Sequence, residues 1–535
     1  MLFFFPFLGG VHLFDRDEIN FAECAREMLL TGDWVRPQID FQPFFEKPPL
    51  FFWAQALSMQ VFGVNEFAAR FPNAVCGLVT LLLVYRIGFR LHDRMFAWLW
   101  VLAWLGSFLP HFYFRSGMID PWFNLFIFCG LYGFIEFRWQ FLTKQTHRTF
   151  WQKYRYLLAG GGILGLAVMT KGPTAYLIVM LVLGLYWARY RFKGRGYLKH
   201  LAVFSAATWL VAFAWFGSEI ALHGADFARQ FAAYQIRLFS TPDAGHGGFF
   251  GYHAVVLLLG CFPVSVFALS NLWGDRQSED ELIESDTLAS CQRSDLTTWM
   301  QLLFWTSIVL FSIVQTNIVH YASLCYFPLT YLGSVTIWRA IRWEMRPKLI
   351  PFLLPAVGIV VAGSVLILPW LGQHPEHLRG LFAGDLFAIE ALHADVEWAL
   401  WQGLPGLMLI VAIFSGLYFW LKKRTWLAAQ IIFGGGAVFA KMTMLFIACN
   451  IEGHTQRAAI EFYKSKRGEA CIIQPVGFKT YAHLFYACKQ PDTPVDKTYL
   501  ISKINDADSL LQTPGCRELY RRNGFVFFEQ QKESE

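Results

Sequence analysis

Apolar runs of about 20 residues, each bounded by charge, recur along most of this chain, and few folds outside a lipid bilayer can accommodate them. Thirteen are placed, at 1–14, 68–86, 96–114, 121–138, 156–170, 172–188, 200–217, 252–273, 298–316, 321–338, 349–370, 397–420 and 426–448. In hydrocarbon every backbone amide must find its partner within the segment, so the runs read as helices. Only 16% of the 535 residues are charged, against roughly 25% in a soluble protein. That balance excludes a disordered chain, a disulfide-stapled mini-domain and an ordinary soluble enzyme. A net charge of +6, scattered along the chain, also argues against a nucleic-acid partner. The expected fold class is a polytopic α-helical membrane protein. The first run is short for a bilayer, so either the true start lies upstream or this helix is buried. No basic segment precedes it, and a cleaved signal peptide is not expected.

Basic residues set the orientation. They concentrate in alternate connections, at Arg86–Arg94, Arg138–Arg155, Arg189–Lys199, Arg276 with Arg293, Arg339–Lys348 and Lys422–Arg424, and are sparser in the others, although the connection Gly274–Asp295 is acidic overall. The positive-inside bias puts that first set in the cytoplasm and the tail outside. Residues 1–449 form the expected transmembrane domain, with a first outer loop at 15–67, and 450–535 a small extracytoplasmic α/β domain. In that tail Thr455–Lys466 and Lys479–Ala487 read as helices, and Cys471–Gln474, Thr498–Ile501 and a closing Phe525–Glu529 as strands. Cys471, Cys488 and Cys516 lie there too, and spacing cannot choose a disulfide among them.

The informative residues are polar ones where a membrane protein should avoid them. In the first outer loop, Ile19, Ala22, Ala25, Met28 and Leu29 share one helical side while Glu23 and Glu27 mark the other, and Gly32 ends the run. This predicts an amphipathic helix lying along the outer surface. Asp15, with Glu18 three positions on, fits an N-cap, which leaves Asp17 the freer carboxylate. In Phe45-Glu46-Lys47-Pro48-Pro49-Leu50 the prolines suit a first helical turn and hold Glu46 and Lys47 just ahead of it. Lys47 with the exposed helix N–H groups is then a phosphate site at the membrane surface, or a lysine snorkelling to headgroups. Asp120 opens one span and Lys171 lies between two others, both at the outer level. Ionisable groups at that depth are costly unless paired or wetted. Either the two form a structural ion pair, or the pair orients Asp17 in a water-filled pocket.

The residues from Asp15 to Pro72 (Asp-Arg-Asp-Glu, Ala-Arg-Glu-Met-Leu, Thr-Gly-Asp-Trp, Phe-Glu-Lys-Pro-Pro-Leu and Asn-Glu-Phe-Ala-Ala-Arg-Phe-Pro) resemble the ArnT-type lipid A aminoarabinose transferases. More broadly the chain is similar to the protein O-mannosyltransferase-like GT-C glycosyltransferases. Met118-Ile119-Asp120-Pro121, Thr170-Lys171-Gly172-Pro173 and His320-Tyr321 continue the likeness in order. The resemblance implies an inverting transfer of a sugar from undecaprenyl phosphate to a lipid A-like, glycan or protein acceptor on the outer face of the plasma membrane. By position it makes Asp17 the carboxylate at the reaction centre, with Asp120 and Lys171 packed around it. Lys47 corresponds to the lysine that holds the carrier phosphate, and Glu46 to an acid associated with a divalent metal.

The chemistry is coherent. A polyprenyl phosphate leaves readily once cations hold its charge, and a carboxylate can serve the acceptor as base. No nucleotide cofactor is expected, because the sugar arrives on a lipid. Two positions depart from the family pattern: Asn20 stands where an arginine is expected, and Gln235 where a metal-ligating histidine is. Arg237 is nearby and can meet phosphate, while His246 is an alternative ligand or an ordinary loop histidine. These departures put the metal, and aminoarabinose as the sugar, in question. Buried Asp and Lys in a many-span protein also fit a secondary transporter or lipid flippase, though the chain shows no related halves.

Overall fold

The structure, a computed structural model, describes residues 3–142, 149–191, 196–240, 249, 251–274, 288–314, 318–491 and 497–530. It is a multi-pass helical membrane fold with a small sheet domain on one side. Among the described residues six helices are long and apolar enough to cross a bilayer, and a seventh span counts if the pair Tyr252–Gly260 and Val264–Asn271, bent by 113°, is one.

Twelve of the thirteen expected runs coincide with helical segments; the first does not. Residues 3–14 run as successive turns, since Pro6, Gly9 and Gly10 discourage a helix. Carbonyls that a helix would have paired internally need other donors. Arg115 donates to the carbonyls of Phe3 at 2.9 Å and Pro6 at 3.0 Å, and Arg70 to those of Leu8 at 3.1 Å and Val11 at 2.7 Å.

The elements that matter for the site come early. The first loop holds α1 (Asp17–Thr31), the hairpin β1 (Gln38–Ile39) and β2 (Gln42–Pro43), and α2 (Leu50–Phe62). Then follow α3 (Glu66–Leu91), α4 (Arg94–Gly106), α5 (Phe108–Tyr113), α6 (Asp120–Leu142), α7 (Phe150–Lys171), α8 (Thr174–Arg189), α9 (Tyr197–His223) and α10 (Asp226–Ser240). Helices α6 and α7 form an antiparallel hairpin with backbones in direct contact. A Cβ on Gly133 would meet Gly160 Cα at 2.8 Å, and one on Gly160 would meet Gly130 O at 2.8 Å. Small residues allow that approach where the hydrophobic effect cannot drive association. The hairpin sets the first residue of α6, Asp120, beside the last of α7, Lys171.

Helix α1 is not the surface helix that its pattern predicts. The tail covers it, so both of its sides are buried. Ile19, Ala22 and Ala25 pack with Ala458, Phe462, Ile473 and Phe527 of the tail, while Phe21, Cys24 and Met28 pack on Phe51 and Phe52 of α2. Glu23 and Glu27, expected in solvent, are fully buried. Arg26 binds both oxygens of Glu23, at 2.6 and 2.7 Å. Glu27 accepts the amides of Asp40 at 2.7 Å and Phe41 at 2.8 Å, so it fixes the β1–β2 turn. Gly32 does end the helix, in the left-handed conformation at φ 72°.

The tail sheet has the order β3 (Cys471–Val476), β4 (Lys497–Lys503), β6 (Phe525–Gln530), β5 (Cys516–Arg522). Strands β3 and β4 are parallel, with Ile473 opposite Tyr499, and β4 and β6 antiparallel, with Ile501 opposite Phe527. The strand expected to close the sheet is thus internal. The edge strand β5 escapes a sequence reading because Cys-Arg-Glu-Leu-Tyr-Arg-Arg has no buried face to impose alternation. All ten cysteines are free thiols.

Candidate active site

Seven stretches far apart in sequence meet in one cavity on the side of the membrane domain that carries the tail. It encloses about 1760 Å³, part of it open solvent, and its lining includes Asp15, Arg16, Asp17, Glu46, Lys47, Lys171, Tyr234, Arg237, His320 and Lys479. A second, largely apolar cavity adjoins it; Lys47, Lys171 and Tyr321 line both, and Asp120, Phe123, Gln235, Phe311 and Leu324 complete the apolar one.

Each functional side chain is positioned by an identifiable local device. Asp17 opens α1, and the residue after it anchors the loop. Glu18 binds Arg70 through both oxygens, at 2.8 and 3.1 Å, and accepts the amides of Phe14 and Gly117. Burial opposes the charge on Glu18, but Arg70 and those hydrogen bonds outweigh it and hold the carboxyl below its ordinary range. Asp15 is not the N-cap. Arg16 occupies that position without a side-chain cap bond, because Glu18 is drawn to Arg70 instead of closing a capping box. Asp15 turns towards the tail, where the Thr480 hydroxyl donates to it; burial raises its carboxyl to about 6.

Lys47 sits ahead of α2, whose N-cap is Pro49, as the double proline predicts. Its ammonium lies 5.0 Å from the centre of the Tyr234 ring, and the Arg237 guanidinium lies 5.3 Å from the same ring. The Tyr234 hydroxyl donates to Glu46 at 3.3 Å. Helix α10 therefore brings Tyr234 and Arg237 to the Glu46–Lys47 corner, giving two cations around one aromatic ring. Burial lowers the Lys47 ammonium from its usual range, with Lys171 adding to the effect and Glu46, Asp17 and Asp120 opposing it.

Lys171 ends α7 and binds Asp120 at 2.6 Å. Gly172 follows at φ 103°, and a Cβ there would strike the Phe231 ring at 2.8 Å, so the turn requires glycine. Asp120 Oδ2 is buried without a hydrogen-bond partner. The Lys171 ammonium also lies 5.3 Å from the Tyr321 ring, above the apolar cavity.

All six expected site residues, Asp17, Glu46, Lys47, Asp120, Lys171 and Arg237, therefore line one or both of these joined cavities. Their arrangement differs from expectation in one respect. His320 lies 3.7 Å from Asp17, whereas no direct contact joins Asp17 to the Asp120–Lys171 pair among the described contacts. His320 belongs to the motif His-Tyr ahead of Pro328, but nothing local to that motif signals a role. Lys479 and Thr480 carry no sequence signal for the site at all. Glu46 accepts from the Tyr234 hydroxyl, and among the described residues no group of three His, Cys, Asp or Glu side chains could hold a metal. His246 lies outside the described residues.

Chemically, the arrangement offers an apolar chamber, cations where the two cavities join, and a partly exposed carboxylate opposite them. Residues 10–227 match the family described as dolichyl-phosphate-mannose-protein mannosyltransferase. The chain is 30% identical over 438 residues to an undecaprenyl phosphate-alpha-4-amino-4-deoxy-L-arabinose arabinosyl transferase of Edwardsiella ictaluri, covering 80% of this chain and 72% of that one. With the transferase of the same description from Photorhabdus laumondii the identity is 28% over 439 residues, covering 79% and 70%. The fold superimposes on ArnT from Cupriavidus metallidurans bound to undecaprenyl phosphate with a TM-score of 0.76 and 17% identity, covering 99% and 96% of the two chains.

Proposed function

The chain belongs to the family of undecaprenyl phosphate-aminoarabinose arabinosyl transferases and is a membrane glycosyltransferase that draws its sugar from a polyprenyl phosphate; from that premise we propose how its own residues carry out the transfer. The apolar cavity takes the first part of the polyprenyl chain. Lys47 and Arg237, both over the Tyr234 ring, hold the carrier phosphate at the edge of the apolar cavity that Lys47 lines. The sugar then projects towards Asp17.

Asp17 takes the proton of the acceptor group as that group attacks the anomeric carbon from the side opposite the phosphate. The carbon–oxygen bond to the phosphate breaks, and its electron pair leaves with the polyprenyl phosphate, whose charge Lys47 and Arg237 hold. The anomeric centre inverts. His320, 3.7 Å from Asp17, keeps the carboxylate facing the sugar. Glu46 positions Lys47 and Tyr234. The acceptor is a lipid A-like glycolipid, ahead of a glycan or a protein, because the cavity lies at the membrane surface. The site faces the extracytoplasmic side of the plasma membrane, a reading that the distribution of basic loops supports.

The observation that carries this reading is the convergence of Asp17, Lys47, Arg237 and Lys171 on one cavity with an apolar annex. To test it, the full chain is reconstituted in vesicles with undecaprenyl phosphate carrying labelled 4-amino-4-deoxy-L-arabinose. Label is expected to move to added lipid A, with release of undecaprenyl phosphate. Label that crosses the bilayer still attached to its carrier, with no transfer, would instead identify a flippase.

A further inference from the structure

The two ends of the cavity are built from different groups. Lys47 and Lys171 line both the polar cavity and its apolar annex, whereas Arg16, Lys479 and Thr480 line the polar cavity alone. Lys479 and Thr480 belong to the tail, on the connection between β3 and the short helix Ala482–Ala487. The tail is fastened to the first loop just beside them. Leu13 N donates to the Tyr486 hydroxyl at 2.7 Å, and Gln456 bonds to Leu13 O at 2.8 Å and to Asp15 N at 3.2 Å. The far outer wall of the site is thus a surface of the tail domain.

That wall is positively charged. Arg16 and Lys503 both act electrostatically on Asp15, which also accepts the Thr480 hydrogen bond. Lys503 is committed to aromatic rings, 4.4 Å from the centre of Phe387 and 5.8 Å from Phe478. Arg16 and Lys479 are exposed to the cavity, with the Lys479 ammonium 5.5 Å from the centre of the Tyr481 ring that also lines it. Asp15 neutralises one positive charge of the three. Cations exposed in a cleft attract anions into it.

We propose that Lys479 of the tail domain, together with Arg16, forms the acceptor end of the site by holding a phosphate or carboxylate group of the acceptor. The inference rests on the transferase reading above and goes beyond it by giving the tail domain a part in acceptor selection. The donor cannot be the ligand of these cations. Its phosphate is held beside the annex that takes its lipid chain, and the annex does not reach Arg16 or Lys479. The acceptor, entering from the open side, passes them first. Both hold the acceptor away from the bond that breaks, and so are specificity residues rather than catalytic ones.

The test uses the reconstituted full chain with the labelled donor and two acceptors, bisphosphorylated lipid A and a neutral glycolipid with the same acyl chains. Lys479→Ala is expected to raise KM for the phosphorylated acceptor about ten-fold with little change in kcat, to leave the binding of undecaprenyl phosphate as it was, and to be largely rescued by Lys479→Arg. Any turnover of the neutral acceptor should be indifferent to the substitution. An equal rise for both acceptors, no rise for either, or weakened undecaprenyl phosphate binding overturns the proposal. Failure of the transferase reading shows differently, as a wild-type chain that moves no label. Direct binding of phosphorylated lipid A by the wild type and the Lys479→Ala variant then still decides the role of Lys479, with equal binding counting against it.

Discussion

Lys171 and Asp120 show how a residue can be legible as important while its role stays ambiguous. Two opposite charges near the level of the bilayer surface invite both a structural and a chemical explanation, and the 2.6 Å contact satisfies either. The energetics separate them. Removing one partner of a buried pair leaves an uncompensated charge, at a cost of about 3–5 kcal/mol, whereas replacing both with apolar residues is often neutral. Lys171→Met should therefore lower the thermal midpoint sharply, and Lys171→Met with Asp120→Leu should recover most of it. On the present account the double variant stays inactive, because Lys171 also lines the site; normal transfer by that variant would reduce the pair to scaffolding. His320 and Lys479 were beyond a sequence reading for a simpler reason. A histidine beside a tyrosine and an exposed lysine in a loop are ordinary residues until three-dimensional structure places them on the cavity that holds Asp17.

Among the elements, α1 carries the clearest lesson. Its apolar stripe and its end at Gly32 could be read from periodicity, but the burial of its acidic side could not, because that depends on a domain more than 400 residues away. Once covered, Glu23 and Glu27 needed partners. Arg26 supplies Glu23, and the β1–β2 turn supplies Glu27 with two amides. Burial, with Glu23 nearby, pushes Glu27 up to about 8 from an ordinary 4.5. A carboxyl whose pKa rises on folding stabilises the fold in its protonated form. That contribution is complete below its unfolded value and is lost as pH climbs through about 8. The thermal midpoint should fall from about pH 4.5 to about pH 8 and level off above it, and protease cleavage near Asp40–Phe41 should rise over the same interval. In Glu27→Gln the pH dependence should flatten while overall stability drops by about 1 kcal/mol, because the amide nitrogen cannot accept the second backbone N–H. A wild-type midpoint that stays constant through this range would contradict the assignment.

For the molecule as a whole, the helical runs and the tail were legible because hydrocarbon enforces long apolar segments and because the tail departs from that pattern so abruptly. The segment 3–14 was not, since apolar residues that fill a protein interior and those that face lipid have the same composition. The site's charged residues could be identified as misplaced, but their meeting point is set by the glycine-backed packing of α6 on α7, by the reach of α10 over Lys47, and by the tail closing over α1. Those are properties of the assembled fold. Its consequence is a division of labour, with donor phosphate at Lys47 and Arg237, the acceptor at the outer mouth and Asp17 between them. The most direct measurement is the rate of label transfer from undecaprenyl phosphate-linked sugar by Asp17→Asn in vesicles, alongside the binding of undecaprenyl phosphate to the same protein. The account predicts a loss of at least a thousand-fold in rate with carrier binding intact; transfer at the wild-type rate would contradict it.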